Sequence, residues 1–136
     1  MFQKCVLIVE DSSAQALAKL LLLEDTGLRV LWARNGQEGM DLAKRYLPDA
    51  IVLDVEMPDM NGFEVCRRLK ADEYTASIPI IMHTVRDEAQ AVAYSLELGA
   101  IDFIPKDVFS GQVLRATLQE LNIIEEPLPG GVRGNQ

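Results

Sequence analysis

The 136-residue chain lacks the features that define several classes of protein. Its two cysteines, Cys5 and Cys66, have no metal-type spacing, so we expect free thiols rather than a disulfide scaffold or a zinc site. No apolar run approaches the roughly 18 residues that a membrane-spanning helix requires. Residues 1–4 lead directly into a strand pattern. We therefore expect no signal peptide, no membrane association and a cytoplasmic location.

Basic charge is also scarce. The 13 Lys and Arg residues stand against 21 Asp and Glu residues, which gives a formal net charge of −8. That charge opposes nonspecific binding to nucleic acid or anionic lipid, so we expect no direct binding to nucleic acid. The hydrophobic fraction of 49% and charged fraction of 25% are typical of a single globular domain.

Five short apolar runs alternate with stretches of helical spacing. The runs predict strands at 6–9, 30–33, 50–53, 79–82 and 100–104. The helices that follow them are predicted from the apolar sets Leu17, Leu20, Leu21; Met40, Ala43, Leu47; Phe63, Cys66, Leu69; Ala89, Val92, Ala93, Leu96; and Leu114, Leu118, Leu121. This order predicts a doubly wound (βα)5 fold of the α/β class, with parallel strands and helices on both faces. Residues 125–136 have the composition of a flexible tail or linker.

Polar side chains follow four of the predicted strands. They are the acidic pair Glu10 and Asp11, then Asp54, Thr84 and Lys106. Because the carboxyl ends of parallel strands share one edge of a sheet, we expect these groups to converge. Neighbouring carboxylates favour a hard divalent cation such as Mg²⁺, and an ammonium and a hydroxyl beside them can bind a phosphoryl group. Taken singly, the two aspartates can instead cap a helix or begin a turn, and Lys106 can be a surface lysine.

The ordered set of these residues resembles the receiver domain of two-component response regulators, over residues 4–124. The resemblance rests on Glu10-Asp11, on Leu53-Asp54-Val55-Glu56-Met57-Pro58 with Gly62, on Thr84, and on Phe103 three residues before Lys106. It implies a flavodoxin-like fold with a five-stranded parallel sheet of order 2-1-3-4-5. It also assigns residues 1–124 to the receiver domain and leaves 125–136 as the tail.

The resemblance further implies that Asp54 is the phosphoacceptor. The donor would be a phosphohistidine on a sensor histidine kinase or a phosphotransfer protein. Asp11, Asp54 and the backbone carbonyl of Glu56 would bind Mg²⁺, with Glu10 acting largely through water. Lys106 would pair first with Asp54 and then with the phosphoryl group.

Thr84 and Phe103 correspond to the switch pair of receivers. Thr84 would move to the phosphoryl group, and Phe103 would turn inward to fill the space. That change repacks the face made by the fourth helix, fifth strand and fifth helix, which would control a downstream protein, a fused output domain or a homodimer. Such a switch promotes its own phosphorylation and dephosphorylation but is not an enzyme acting on a metabolite.

Three positions carry separate expectations. Receivers often have proline after the lysine, with a cis bond; here Asp107 follows Lys106, and since a non-proline cis bond costs about 2.5–4 kcal/mol, we expect it to be trans. His83 stands where receivers usually have an apolar residue, and we expect a packed, hydrogen-bonded ring. Glu56 and Arg86 are predicted to form an ion pair that hinders the water that removes the phosphoryl group.

Two alternative functions remain open. A phosphatase with an aspartate nucleophile, of the haloacid dehalogenase type, needs a second Asp two residues after the nucleophile, where Glu56 stands. A flavodoxin-like module that is not phosphorylated needs a glycine- or hydroxyl-rich phosphate loop after the first strand. Glu10 and Asp11 would repel a cofactor phosphate at that place.

Overall fold

The structure, a computed structural model, describes residues 3–86 and 88–125. Strands and helices alternate along the described chain as β1 Cys5–Val9, α1 Ser13–Leu23, β2 Arg29–Ala33, α2 Gly36–Tyr46, β3 Ala50–Leu53, α3 Gly62–Ala71, β4 Ile80–Thr84, α4 Ala89–Glu97, β5 Asp102–Pro105 and α5 Ser110–Glu120. This is the predicted (βα)5 order. The tail predicted over 125–136 lies, from residue 126, outside the described residues.

All five strands form one parallel sheet in the order β2-β1-β3-β4-β5. The strand order 2-1-3-4-5 is therefore confirmed. The chain direction across the sheet reverses between β1 and β3, where Val9 lies opposite Leu53. Glu10 and Asp54 follow these two residues directly, so they lie side by side at the point where such sheets bind ligands.

The sheet is covered on both faces, because alternate residues of each strand point to opposite sides. One face carries Leu7, Val9, Ile51, Leu53 and Met82, which pack with buried residues of α2, α3 and α4. The other face carries Val6, Ile8, Val52, Ile81 and Ile104, which pack with α1 and α5. Nearly every residue of the central strands is buried, which explains their continuous apolar runs.

The buried face of α1 differs from the prediction. Leu17 and Leu21 are 54% and 55% exposed, whereas Ala16, Lys19 and Leu23 are buried. The helix turns a lysine inward because the carboxylate of Glu10 lies within reach of its ammonium. An ammonium that is paired with a carboxylate, and whose aliphatic stem is packed, can be buried at an acceptable cost in free energy. Burial of an unpaired ammonium costs much more.

The prediction for α4 was also partly wrong. Leu96 is 49% exposed and Ala93 is exposed, while Ala91 and Ser95 are buried. Ser95 can take an inward position because its hydroxyl donates to the carbonyl of Ala91 at 2.9 Å, which leaves no unsatisfied donor in the core.

Candidate functional site

The main chain continues the sheet just beyond the strand ends and fixes the first polar residues there. The N–H of Glu10 donates to the carbonyl of Ala33 at 2.9 Å, and the N–H of Asp54 donates to that of Val9 at 3.2 Å. Lys106 donates its N–H to the carbonyl of Thr84 at 2.7 Å. These side chains therefore start from rigid backbone rather than from mobile loops.

Three carboxylates converge at this edge. Glu10, Asp11 and Asp54 each offer an oxygen, and these oxygens lie within 4.8 Å of one another. Glu10 is 1% exposed and Asp54 6% exposed, whereas Asp11 faces solvent. Ser12 rather than Asp11 caps α1, because the Ser12 hydroxyl accepts the N–H of Gln15. The donor set of three acidic oxygens fits a small divalent cation such as Mg²⁺.

Lys106 reaches this group from the end of β5. Its ammonium donates to Oδ2 of Asp54 at 2.8 Å and to Oε1 of Glu10 at 2.7 Å. Burial alone would lower the pKa of Lys106, but its hydrogen bonds and charge pairing with Asp54 and Glu10 outweigh burial and raise that pKa. The lysine is therefore a fixed positive charge beside the aspartate.

Sequence reasoning missed a second buried lysine. The ammonium of Lys19 donates to the same Oε1 of Glu10 at 2.9 Å. Burial favours the neutral form and lowers the pKa of Lys19, while the charge of Glu10 opposes this. For the carboxylate of Glu10, burial acts in the other direction and would raise the pKa. Hydrogen bonds and charges from Lys106 and Lys19 outweigh burial and bring that pKa below its usual value. The available signal was a single lysine within the apolar stretch 16–23.

The loop after Asp54 lines one side of the site. The N–H of Glu56 donates to Oδ1 of Asp54 at 3.2 Å, and the N–H of Gly62 donates to the carbonyl of Val55 at 2.8 Å. An open cleft of about 320 Å³ lies along this loop, lined by Asp11, Val55, Glu56, Met57, Pro58 and Asn61. The cleft gives a ligand access to the acidic group from solvent.

Asp59 anchors the same loop to a neighbouring helix, and sequence reasoning did not identify it. Its two carboxylate oxygens accept the N–H groups of Gly36 and Gln37, each at 2.9 Å, at the start of α2. Burial has the largest single effect and would raise the pKa of Asp59, but the backbone hydrogen bonds together outweigh it and lower that pKa. The contact fixes the loop that lines the cleft.

The two residues predicted as the switch pair are both buried. Thr84 is fully buried, and its Oγ1 accepts the N–H of Arg86 at 3.4 Å. Phe103 is 9% exposed and packs in the core with Met82, Ala91 and Ala100. The phenyl ring is therefore already inside in this structure.

The prediction of a hydrogen-bonded ring for His83 was wrong. The side chain is 5% exposed, as packing required, but neither ring nitrogen has a partner among the described residues. Burial, reinforced by the charges of Lys19 and Lys106, lowers the pKa of His83 to about 3. The ring lies at a cavity of about 450 Å³ between α1 and α5, and none of the polar side chains that also line it, such as Gln15 and Ser110, hydrogen-bonds the ring.

The predicted ion pair between Glu56 and Arg86 was also wrong. Arg86 instead pairs with Glu88 at 3.2 Å, and its guanidinium lies 5.6 Å from the ring centre of Phe63. Contacts with Glu88, two residues away, and with the aromatic face of Phe63 cost less free energy to form than a pair with the exposed Glu56 across the cleft. The trans bond expected between Lys106 and Asp107 is confirmed, since the described residues contain no cis peptide bond.

The comparisons with known proteins give the family. The family model of the response regulator receiver domain matches residues 6–119. The chain belongs to this family. Protein PilH of Pseudomonas aeruginosa is 36% identical over 110 residues, which cover 81% of this chain and 91% of PilH. This chain is thus a receiver domain of the kind found in two-component response regulators.

The similar proteins differ in length. The transcriptional regulatory protein AfsQ1 of Streptomyces coelicolor is 41% identical over 114 residues, covering 84% of this chain but 49% of AfsQ1. Among solved structures, the chemotaxis protein CheY4 of Vibrio cholerae has a TM-score of 0.81 at 29% identity, covering 88% of this chain and 99% of that one. The receiver spans nearly all of PilH and about half of AfsQ1. Within the described residues, no helix is long and apolar enough to cross a membrane.

Proposed function

We propose that Asp54 is the phosphoacceptor of this receiver and that it takes its phosphoryl group from a phosphohistidine on a sensor kinase or phosphotransfer protein. One observation carries the proposal. The Lys106 ammonium lies 2.8 Å from the Asp54 carboxylate, while Glu10 and Asp11 supply acidic oxygens within 4.8 Å of it. An aspartate surrounded in this way can bind both a cation and a phosphoryl group.

In the transfer, an Asp54 carboxylate oxygen attacks phosphorus and forms an O–P bond. The N–P bond of the donor breaks, and its electron pair returns to the imidazole ring, which takes up a proton. Lys106 and the hydroxyl of Thr84 donate to the phosphoryl oxygens, where negative charge is greatest. Fixed donors aimed at that charge lower the barrier without costly reorganisation.

Mg²⁺ fits the acidic group. Asp11, Asp54 and the backbone carbonyl of Glu56 would hold it, and when bound it would neutralise charge on the phosphoryl oxygens. Glu10 would act through water, because Oε1 already accepts from two lysines and Oε2 accepts the N–H of Ser12 at 3.2 Å. The two ammoniums leave the three carboxylates with one uncompensated negative charge, which favours a cation.

Thr84 and Phe103 would carry the signal away from Asp54. When Thr84 turns its hydroxyl to the phosphoryl group, it gives up the N–H of Arg86 and loosens the start of the β4–α4 loop. The ring of Phe103, which is already packed in the core, would keep this position after the change. Large apolar side chains are exposed on α4, just before β5 and on α5, where a partner could act: Leu96, Ile101 and Val113.

The location of these surfaces supports the proposed partners. A phosphohistidine donor must approach the Asp54 edge, where Val108 and Phe109 are 89% and 64% exposed just after Lys106. The output is a downstream protein, a fused output domain or a phosphorylation-dependent homodimer. With a net charge of −8 the chain binds no nucleic acid itself and works in the cytoplasm, next to its kinase. It turns over no metabolite.

The test uses acetyl phosphate and Mg²⁺ with intact-mass analysis. We expect the chain to gain the mass of one phosphoryl group, and the adduct to be labile to base. Asp54→Asn should abolish the adduct, while Asp41→Asn, a control at an exposed aspartate of α2, should keep it. An adduct that survives in Asp54→Asn would refute the proposal. Steady hydrolysis of a general phosphatase substrate would favour an enzyme instead.

A further inference from the structure

Lys19 is a buried cation that the proposed phosphorylation mechanism does not use. Its side chain is 6% exposed, and its ammonium donates to Oε1 of Glu10, whose side chain is 1% exposed. Removing an ammonium from water costs several kcal/mol unless a charged partner offsets it. The position of Lys19 on the inward face of α1 therefore depends on Glu10.

Glu10 is shared between two lysines. Lys106 donates to the same Oε1 at 2.7 Å and also to Oδ2 of Asp54 at 2.8 Å. Within the described part of the chain, Lys106 is the one side-chain cation that contacts Asp54. Lys106 is thus held between two carboxylates, and only one of them, Glu10, has a second ammonium.

The charge balance shows what Lys19 contributes. With Lys19, the carboxylates of Glu10, Asp11 and Asp54 face two ammoniums; without it, they face one. The same ammonium would then have to neutralise Glu10 and Asp54 together, in a partly buried place where charges interact strongly. Lys106 would be drawn toward Glu10 and away from the phosphoacceptor.

We propose that Lys19 is a positioning residue for phosphoryl transfer, which neutralises Glu10 and so leaves Lys106 free to pair with Asp54 and with the phosphoryl group. This inference rests on the proposed role of Asp54. It assigns no contact between Lys19 and the phosphoryl group. Lys19 acts through Glu10 and Lys106.

Removal of Lys19 should move two measurable quantities in opposite directions. The site becomes more negative, so Mg²⁺ should bind about three-fold or more tighter. The phosphorylation rate at saturating Mg²⁺ should fall about ten-fold or more, because Glu10 then holds Lys106 away from Asp54 and the phosphoryl group. A variant that was merely damaged in structure would lose both Mg²⁺ affinity and rate.

The experiment compares the wild type with Lys19→Met. Trp32, the only tryptophan, reports on Mg²⁺ by fluorescence, because its indole N–H donates to the main-chain carbonyl of Glu10 at 2.7 Å. The Mg²⁺ dependence of the unfolding temperature gives the same affinity independently. Intact mass follows phosphorylation by acetyl phosphate. Lys44→Met removes an exposed lysine paired with Asp72 and should change neither quantity by more than about two-fold.

A double-mutant cycle tests the route of action. In a Glu10→Gln background, Lys19→Met should alter the rate by less than about two-fold, since the charge that Lys19 neutralises is gone. If Lys19→Met is too unstable to assay, Lys19→Gln replaces it, with the same expectations.

The inference is overturned if affinity and rate fall together, if neither changes, or if the effect is equal in both backgrounds. These outcomes differ from failure of the proposed function. If the wild type itself takes no phosphoryl group, the role of Asp54 fails. If the wild type is phosphorylated and Lys19→Met behaves identically, only the role of Lys19 fails.

Discussion

A Cβ atom at Gly62 would overlap the main-chain carbonyl oxygen of Asp54 and come within 2.9 Å of its carbonyl carbon. The first residue of α3 thus packs directly against the backbone of the proposed phosphoacceptor. Only glycine allows this approach, and the approach sets the path of the loop that lines the cleft.

Gly62→Ala should therefore damage the site. We expect a loss of about 1–3 kcal/mol in the free energy of unfolding, because the loop must shift away from Asp54. The phosphorylation rate should fall as well, since the N–H of Glu56 leaves Oδ1 of Asp54. Gly111→Ala is the control: its Cβ would make an ordinary 3.4 Å contact with Leu22, and helix propensity should leave stability unchanged or up to about 1 kcal/mol higher. Equal behaviour of the two variants in urea unfolding would contradict this.

Lys106→Met should destabilise the chain in a way that Mg²⁺ reverses. Asp54 loses the cation that contacts it, and breaking such a buried pair costs about 3 kcal/mol. Because Mg²⁺ binds the more negative site, it should stabilise the variant more than the wild type. Unfolding with and without Mg²⁺ measures this.

Lys4→Met is the control for that experiment. Lys4 and Asp49 form an exposed pair at 4.0 Å, which should contribute less than about 1 kcal/mol. A Lys106→Met variant as stable as Lys4→Met without Mg²⁺ would show that the buried contacts of Lys106 do not hold the acidic group together.

His83→Leu should stabilise the protein at pH 7. Two buried ring nitrogens without partners in the described part of the chain cost about 1–3 kcal/mol, and leucine removes both. Thr75→Val is the control, because the Thr75 hydroxyl donates to the carbonyl of Leu69 at 2.6 Å and its loss should destabilise. A His83→Leu variant less stable than the wild type would mean that the ring has partners in solution.

The same substitution should alter the dependence of stability on pH. The pKa of His83 is lowered to about 3 in the folded protein from 6.5, so between these values only the unfolded chain takes up the proton. Acid therefore favours unfolding, and the wild type should lose about 2 kcal/mol from this group between pH 7 and pH 5. The His83→Leu variant should lose about 2 kcal/mol less stability than the wild type over this pH range. Parallel pH curves for the two proteins would rule out a strongly lowered pKa.

Thr84→Val should separate phosphorylation from its structural consequence. The variant keeps the size of the side chain but has no hydroxyl to follow the phosphoryl group, so Asp54 should still be modified. Phosphorylation should then perturb backbone NMR signals around Asp54 but not those of Phe103 and α4. Thr84→Ser, which keeps the hydroxyl, should restore the distant changes. Distant changes of wild-type size in Thr84→Val would disprove the switch role.

The sequence predicted the fold and the convergence of the acidic group because both depend on local patterns. Continuous apolar runs identified the central strands, and parallel connections carry Glu10, Asp54 and Lys106 to one edge whatever the details of packing. The strand order came only from the family resemblance. Periodicity alone cannot decide between orders, since it does not show which of the strands lie next to each other.

The errors concern side chains whose surroundings come from distant parts of the chain. Lys19 was missed because Leu17 and Leu21 suggested an apolar inward face, and only the structure shows that Glu10 offers a buried partner. His83 was expected to find a partner, but the polar side chains beside it do not reach its ring, and Lys19 pairs with Glu10 instead. Arg86 was paired with Glu56 on position alone, whereas the local path of the chain brings it to Glu88 and Phe63.

The most direct test of the central claim is to locate the phosphoryl group in the chain. The protein is incubated with acetyl phosphate and Mg²⁺ and then treated with borohydride, which reduces an aspartyl phosphate to homoserine. Peptide mass spectrometry should find homoserine at position 54, and none when Mg²⁺ is chelated. Modification at Asp11 or His83, or no modification of a folded chain, would contradict the account.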